Sequence, residues 1–215
     1  MTYDLIIIVK SGLDRIHQIT QHCINTCRAD ADVNVILVET SGLQRSYEGV
    51  NRTIMYQGAF NYNRALNLGL EYAEGDVHIL ANNDLVFHKG WSQIGELMWA
   101  NNLESASALS QSPQQKAFER GDYIYVGYDV GLHISGWCLF LSKEGHQKIG
   151  KLDETYDFWY SDNAYADQLR EHGIRHGIFC NIFIDHITSV TLKTIPWRDR
   201  HRYSIGQRNK IRYAI

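Results

Sequence analysis

The sequence predicts a three-layer α/β domain whose central sheet is parallel in its first half and mixed in its second. Three observations predict it. First, DLIIIVKSG (residues 4–12) and VNVILVETSG (33–42) are β-branched runs ending in glycine turns, the pattern of strands buried on both faces. Second, Ile16, Ile19, Cys23, Ile24 and Cys27 recur between them at three- and four-residue steps, which makes a helix from Asp14 to about Arg28. Third, strand, helix and strand at this spacing form a βαβ unit with a parallel pair.

The remaining elements follow in order. Asp14 is placed to cap the first helix. RTIMYQG (52–58) reads as a third short strand, and residues 61–73 as a helix stopped by Gly75. DVHILANND (76–84) is an apolar strand ending in three polar residues, and 91–101 is a helix. Residues 103–121 are polar and read as a loop. Two or three strands are expected between 123 and 141, and SKEGHQKIG opens a short helix. Tyr165, Ala166 and Leu169 mark a helix over 161–172 that stops at Gly173, and GIFCNIFIDHI (177–187) is the last strand. The expected organisation is one domain over 1–192 and a basic tail over 193–215.

Composition narrows the class. At 215 residues with 44% hydrophobic and 21% charged residues, the chain can bury a core of its own, and disorder as the dominant state is excluded. Two prolines leave no proline-rich linker. The net charge of −3 hides an asymmetry: seven basic residues face Asp199 alone in 193–215, so a basic tail follows an acidic body. Such a tail points to an anionic partner or to a solvated terminal helix. Cys23, Cys27, Cys138 and Cys180 include no zinc-type pair and suit a reducing compartment. The apolar run LIIIV is too short for a signal peptide or a membrane span, so a soluble cytoplasmic protein is expected. GxGxxG after the first strand, GxxxxGK[ST], GxSxG and HExxH are all missing, which removes the main support for dinucleotide-binding, P-loop, esterase and zincin readings.

In open α/β sheets, ligands bind outside the carboxyl ends of the strands. The polar groups there are Lys10 and Ser11, Glu39, Thr40 and Ser41, Asn82, Asn83 and Asp84, then Asp185 and His186. A carboxylate such as Asp84 can hold a divalent cation that bridges to phosphate, although Asn-Asn-Asp also suits a simple turn. His186 can share that ion, since imidazole and carboxylate both suit manganese. Asp162 opens a helix, either as a cap or as a general base. LDETYDFWY before it carries acids and aromatic rings together, which suits carbohydrate binding or a packed lid.

The order of these segments, from about residue 3 to residue 188, resembles glycosyltransferase family 2 with its GT-A fold. Glu39 stands where the family usually has the aspartate that contacts the nucleotide base. Asn82-Asn83-Asp84 is similar to the Asp-x-Asp metal motif in the form common among rhamnosyltransferase-like members, with Asp84 matching the metal-binding acid. Asp162 matches the catalytic base of inverting members, while Ser161 and Ala164 replace flanking acids and Gln168 replaces an arginine. His186 matches a late metal-ligating histidine. The resemblance implies a metal-dependent, inverting hexosyl- or pentosyltransferase using Mn2+ or Mg2+. Its nucleotide-diphosphate sugar would lie against Lys10, Ser11, Glu39, Asn82 and Asn83, with Arg198 and Arg200 (or Arg202) folding over the phosphates. Trp137, Trp159 and Tyr160 would shape the acceptor side. The expected acceptor is a soluble hydroxyl on a glycan, a protein or a modified base in DNA. The basic tail makes a DNA glycosyltransferase acting on hydroxymethylcytosine one alternative. A catalytically silent nucleotide-binding module is another.

Overall fold

The computed structural model describes residues 1–187. Its strands are β1 (Tyr3–Val9), β2 (Val33–Glu39), β3 (Arg52–Met55), β4 (Val77–Asn82), β5 (Leu85–Phe87), β6 (Ser105–Leu109), β7 (Ile124–Val126), β8 (Cys138–Ser142) and β9 (His176–His186). Its α-helices are α1 (Asp14–Arg28), α2 (Tyr62–Leu70), α3 (Ile94–Ala100), α4 (Lys143–Ile149) and α5 (Ser161–Glu171). All nine strands join one sheet in the order β3-β2-β1-β4-β8-β6-β9-β5, with β7 also paired to β9. The first four are parallel, with Tyr3 opposite Val33 and Val77. β8 then runs antiparallel to β4 and β6, and β9 runs parallel to β6, so β9 ends on the same edge of the sheet as β4.

Alternation along β1 builds the three layers. Tyr3, Leu5, Ile7 and Val9 pack with α1 residues Ile16, Cys23, Ile24 and Cys27 and with Ile94 and Met98 of α3. Ile6 and Ile8 pack on the other face with Ala65, Leu66 and Leu70 of α2 and Tyr165 and Leu169 of α5. α2 lies so close to β1 that a Cβ at Gly69 would stand 2.3 Å from Ile6 Cγ2. All four cysteines are buried free thiols. Among the described residues, no helix is long and apolar enough to cross a membrane.

Several expectations need correction. Residues 103–121 are not a loop throughout, because SASAL forms β6, fully buried beside β8 and β9. Its serines mask the apolar pattern, and they are buried because they are bonded: Ser105 Oγ meets Tyr165 Oη at 2.7 Å and His176 Nδ1 at 2.8 Å. LVF after the polar triplet is a strand, β5, antiparallel to β9. Asp14 is not the cap of α1; it is the first helical residue and pairs with Arg45 at 2.7 Å, while Leu13 holds the cap position. Gly75 does not stop α2, which ends at Leu70. Instead its N–H donates to the buried Asp4 carboxylate at 2.6 Å. The third strand stops at Met55.

Candidate functional site

A cleft of about 330 Å3 opens where the carboxyl ends of β1, β2 and β4 meet the start of α5 and the end of β9. Lys10, Thr40, Asn82, Asn83, Asp84 and His186 line the end built from strand termini, and Asp162 lines the end built from the start of α5. Sequence reasoning therefore placed most of its candidates in one cavity.

The first end is made of strand termini. Asn83 turns its amide toward α1 and donates to Thr20 Oγ1 at 2.9 Å, which orients the turn carrying Asp84. β9 reaches this turn through an irregularity. Its register against β6 shifts between Ala108 and Leu109, and its last residues pair instead with β5, setting His186 opposite Leu85. The Ile187 N–H then donates to the Asp84 carbonyl at 2.8 Å. The result is His186 Nε2 3.0 Å from Asp84 Oδ1, with both side chains largely buried. Trp137 stacks on the imidazole at 5.4 Å between ring centres and 18° between planes. Asp185 points the other way, as alternation requires, and meets His88 Nε2 at 2.9 Å.

These residues fit a divalent cation. Buried His186 Nε2 makes no hydrogen bond among the described residues although it stands beside a carboxylate oxygen. A separation of about 3 Å is that of neighbouring ligands on an octahedral ion with bonds of about 2.1 Å. No cluster of three or more metal-ligating side chains exists among the described residues. An ion held here needs further oxygens from elsewhere, as ions bound through one or two protein ligands plus substrate phosphates do.

Glu39 and Ser11 stand behind the cleft wall rather than in it. Glu39, 1% exposed, accepts from the Ser41 N–H at 2.6 Å, the Ser11 N–H at 3.3 Å and the Ser11 hydroxyl. The Ser11 hydroxyl also meets Tyr47 Oη at 2.7 Å. This buried network fixes the two turns that present Lys10 and Thr40. Arg198, Arg200 and Arg202 lie outside the described residues.

The second end is built differently. α5 starts after Tyr160, a non-glycine residue at φ +67°, in the left-handed region. Asp162 is the second helical residue, not the cap, and its Oδ1 accepts from the Asn163 N–H at 3.0 Å. Burial holds its carboxyl above the usual carboxylate pKa, because the charged form loses hydration there. Phe60, Tyr62, Phe158, Trp159 and Tyr160 line the same cleft with rings.

Sequence reading missed how this end is held. The chain leading into α5 is gripped by amide side chains from α2 and its cap. Asn61 Nδ2 donates to the Glu154 carbonyl at 2.8 Å, and Asn63 Nδ2 to the Asp153 carbonyl at 2.6 Å. Asn67 both donates to the Leu152 carbonyl and accepts from the Leu152 N–H, each at 2.9 Å. Arg64 Nε adds a bond to Glu154 at 2.7 Å. From α5, Gln168 bonds the same segment at the Asp153 N–H and the Lys151 carbonyl. All three asparagines are buried, and their partners lie 85 to 93 residues further along the chain, so no local sequence signal marks them.

No family model and no curated protein matches the sequence. Solved structures do match the fold. A structure of GalNAc-T7 with UDP, GalNAc and Mn2+ superposes with a TM-score of 0.66 at 11% identity, covering 86% of this chain and 44% of that one. S. aureus TarS 1–349 superposes with a TM-score of 0.61 at 7% identity, covering 86% of this chain and 60% of that one. The chain thus spans about half the length of the solved structures it matches. The mixed α/β architecture described above is the GT-A glycosyltransferase fold shared with these two structures.

Proposed function

We propose that the chain is an inverting, metal-dependent glycosyltransferase that moves a sugar from a nucleotide-diphosphate donor to a hydroxyl acceptor. One observation carries this reading: the Asp84–His186 pair and Asp162 line a single cleft at the carboxyl edge of a GT-A sheet. Likeness to a fold crystallised with UDP, GalNAc and Mn2+ supports it.

Each group has a distinct task. Asp84 and His186 would hold Mn2+ or Mg2+, which supplies positive charge to a diphosphate leaving group. Lys10, at the same end of the cleft, adds a cation for the phosphates. Asp162 takes the proton of the acceptor hydroxyl as that oxygen attacks the anomeric carbon. Its raised pKa makes it a better base than an ordinary carboxylate, provided the pH stays above that pKa. Attack from the side facing Asp162, opposite the diphosphate, inverts the anomeric centre. The rings of Phe60, Phe158 and Trp159 give the acceptor an apolar floor and keep bulk water from competing with it.

The test is a panel of nucleotide sugars offered with Mn2+ or Mg2+ and a pool of glycan, protein and hydroxymethylated DNA acceptors. Nucleoside diphosphate release and the mass of the product are followed. Metal-dependent release with a product heavier by one sugar is expected, lost in Asp162→Asn. Binding of nucleotide and metal without any turnover would replace this reading with that of a silent nucleotide-binding module.

A further inference from the structure

One hydroxyl joins the two ends of the cleft. Tyr62 Oη lies 2.9 Å from Asn82 Oδ1, at the carboxyl end of β4, and 3.0 Å from the Gly136 carbonyl. Gly136 is the seat of Asp162: a Cβ there would stand 2.9 Å from Asp162 Cβ and 3.1 Å from Oδ2. The next residue, Trp137, closes the circuit on the other side. Its carbonyl accepts from the Asn82 N–H at 2.9 Å, and its indole stacks on His186. Tyr62 also grips the acceptor side through its backbone, where its N–H donates to the Asp157 carbonyl at 2.7 Å. Tyr62 as a whole is 8% exposed. A buried phenol keeps its proton, and here that proton is shared between an acceptor at each end of the site.

We infer that Tyr62 is a positioning residue. By tying Gly136 to Asn82, it sets the distance and direction of the Asp162 carboxylate relative to the Asp84–His186 pair. The absent side chain of Gly136 provides the space in which that carboxylate rests. The inference rests on the glycosyl-transfer reading of the cleft only for its kinetic consequence; the geometric consequence stands apart from it. The physical reason for a dedicated tie is the sensitivity of proximity. Misplacing a reacting group by about 1 Å costs on the order of 100-fold in rate.

The test uses Tyr62→Phe, which keeps the ring and removes only the hydroxyl, and Gly136→Ala, which fills the seat. Crystal structures of both, nucleoside diphosphate affinity in Mn2+ by calorimetry, thermal midpoints, and kcat and KM for transfer are measured. For Tyr62→Phe, the Asp162 carboxyl is expected to shift or become poorly ordered relative to Asp84 and His186. Nucleotide affinity and donor KM should stay within about threefold, with kcat down by about 10- to 100-fold. Gly136→Ala should move Asp162 further with the same kinetic split. An unmoved Asp162 with full kcat in Tyr62→Phe would overturn the inference. So would parallel loss of nucleotide affinity, kcat and thermal midpoint, which marks a merely structural hydroxyl. If the unmodified protein turns over no nucleotide sugar, the functional reading fails, and the two crystal structures alone still decide the positioning role.

Discussion

The two ends of the cleft are held by different physics. At the Asp84–His186 end, the side chains extend from strand termini, and the ladder between β5 and β9 fixes their separation. At the Asp162 end, the residue opens a helix whose approach segment has little regular structure. That segment is held instead by amides from Asn61, Asn63, Asn67 and Gln168 bonded to its backbone. A strand ladder is specified by hydrophobic alternation and tolerates changes in single polar side chains. A scaffold of side-chain amides depends more on its members, since loss of Asn67 or Asn61 leaves a buried backbone group of Leu152 or Tyr156 without that partner. The β5–β9 ladder that sets His186 beside Asp84 should therefore tolerate polar substitutions better than the approach to Asp162, while the Asn83–Thr20 and Glu39–Ser11 bonds are the side-chain supports of the metal end.

The largest expected effect separates the two ends outright. Asp162→Asn should lower transfer on the order of 100- to 10,000-fold, the usual contribution of a general base, while Mn2+-dependent nucleotide affinity stays within about twofold. In the native protein, log kcat should fall on acidification at a higher pH than for an ordinary aspartate, because burial raises the Asp162 pKa. Next, Asp84→Ala should weaken nucleoside diphosphate binding in Mn2+ by about tenfold or more, the change made by about 1.4 kcal/mol of lost contact. Calorimetry with and without the metal checks it.

Asn67→Ala sharpens the comparison without touching either end. It leaves the N–H and carbonyl of buried Leu152 without their partner, so a loss of about 1–3 kcal/mol in denaturant unfolding is expected. Transfer should suffer more than nucleotide binding. A separate effect tests the buried serines of β6. Burial depresses the His176 pKa to about 4, against 6.5 for an ordinary histidine, so the unfolded chain binds the proton first. Stability should therefore be fully present above pH 6.5 and decline as pH falls toward 4, and His176→Gln should flatten that slope. The smallest effect concerns Asp162 again. Its raised pKa means that the folded state is penalised for the charge above that pKa and relieved below it. Asp162→Asn should then raise the melting temperature at neutral pH, and the gain should vanish on acidification, as thermal unfolding across a pH series would show.

The same contrast decides what could be read from the sequence. β1, α1 and β2 were legible because β-branched runs and a 3.6-residue period report burial directly. Asp84, Lys10 and His186 were legible as polar residues at strand ends. β6 was not, because SASAL places serine where aliphatic residues usually mark a strand, and only its hydrogen bonds to Tyr165 and His176 reveal why serine is tolerated. Glu39 was visible as a polar group at a strand end, but its role in holding two turns depends on Ser11, 28 residues away. The supports of Asp162 were hidden for the same reason. Asn63 and Asn67 find their partners 90 and 85 residues further along the chain, so no local pattern announces them.

Anomalous diffraction from crystals grown with Mn2+ and a nucleoside diphosphate tests the central claim most directly. A single manganese peak is expected within bonding distance of both the Asp84 and His186 side chains, next to the diphosphate, with the Asp162 carboxyl in the same cleft. Manganese and nucleotide bound elsewhere, or nucleotide in the cleft with no metal beside Asp84 and His186, would contradict it.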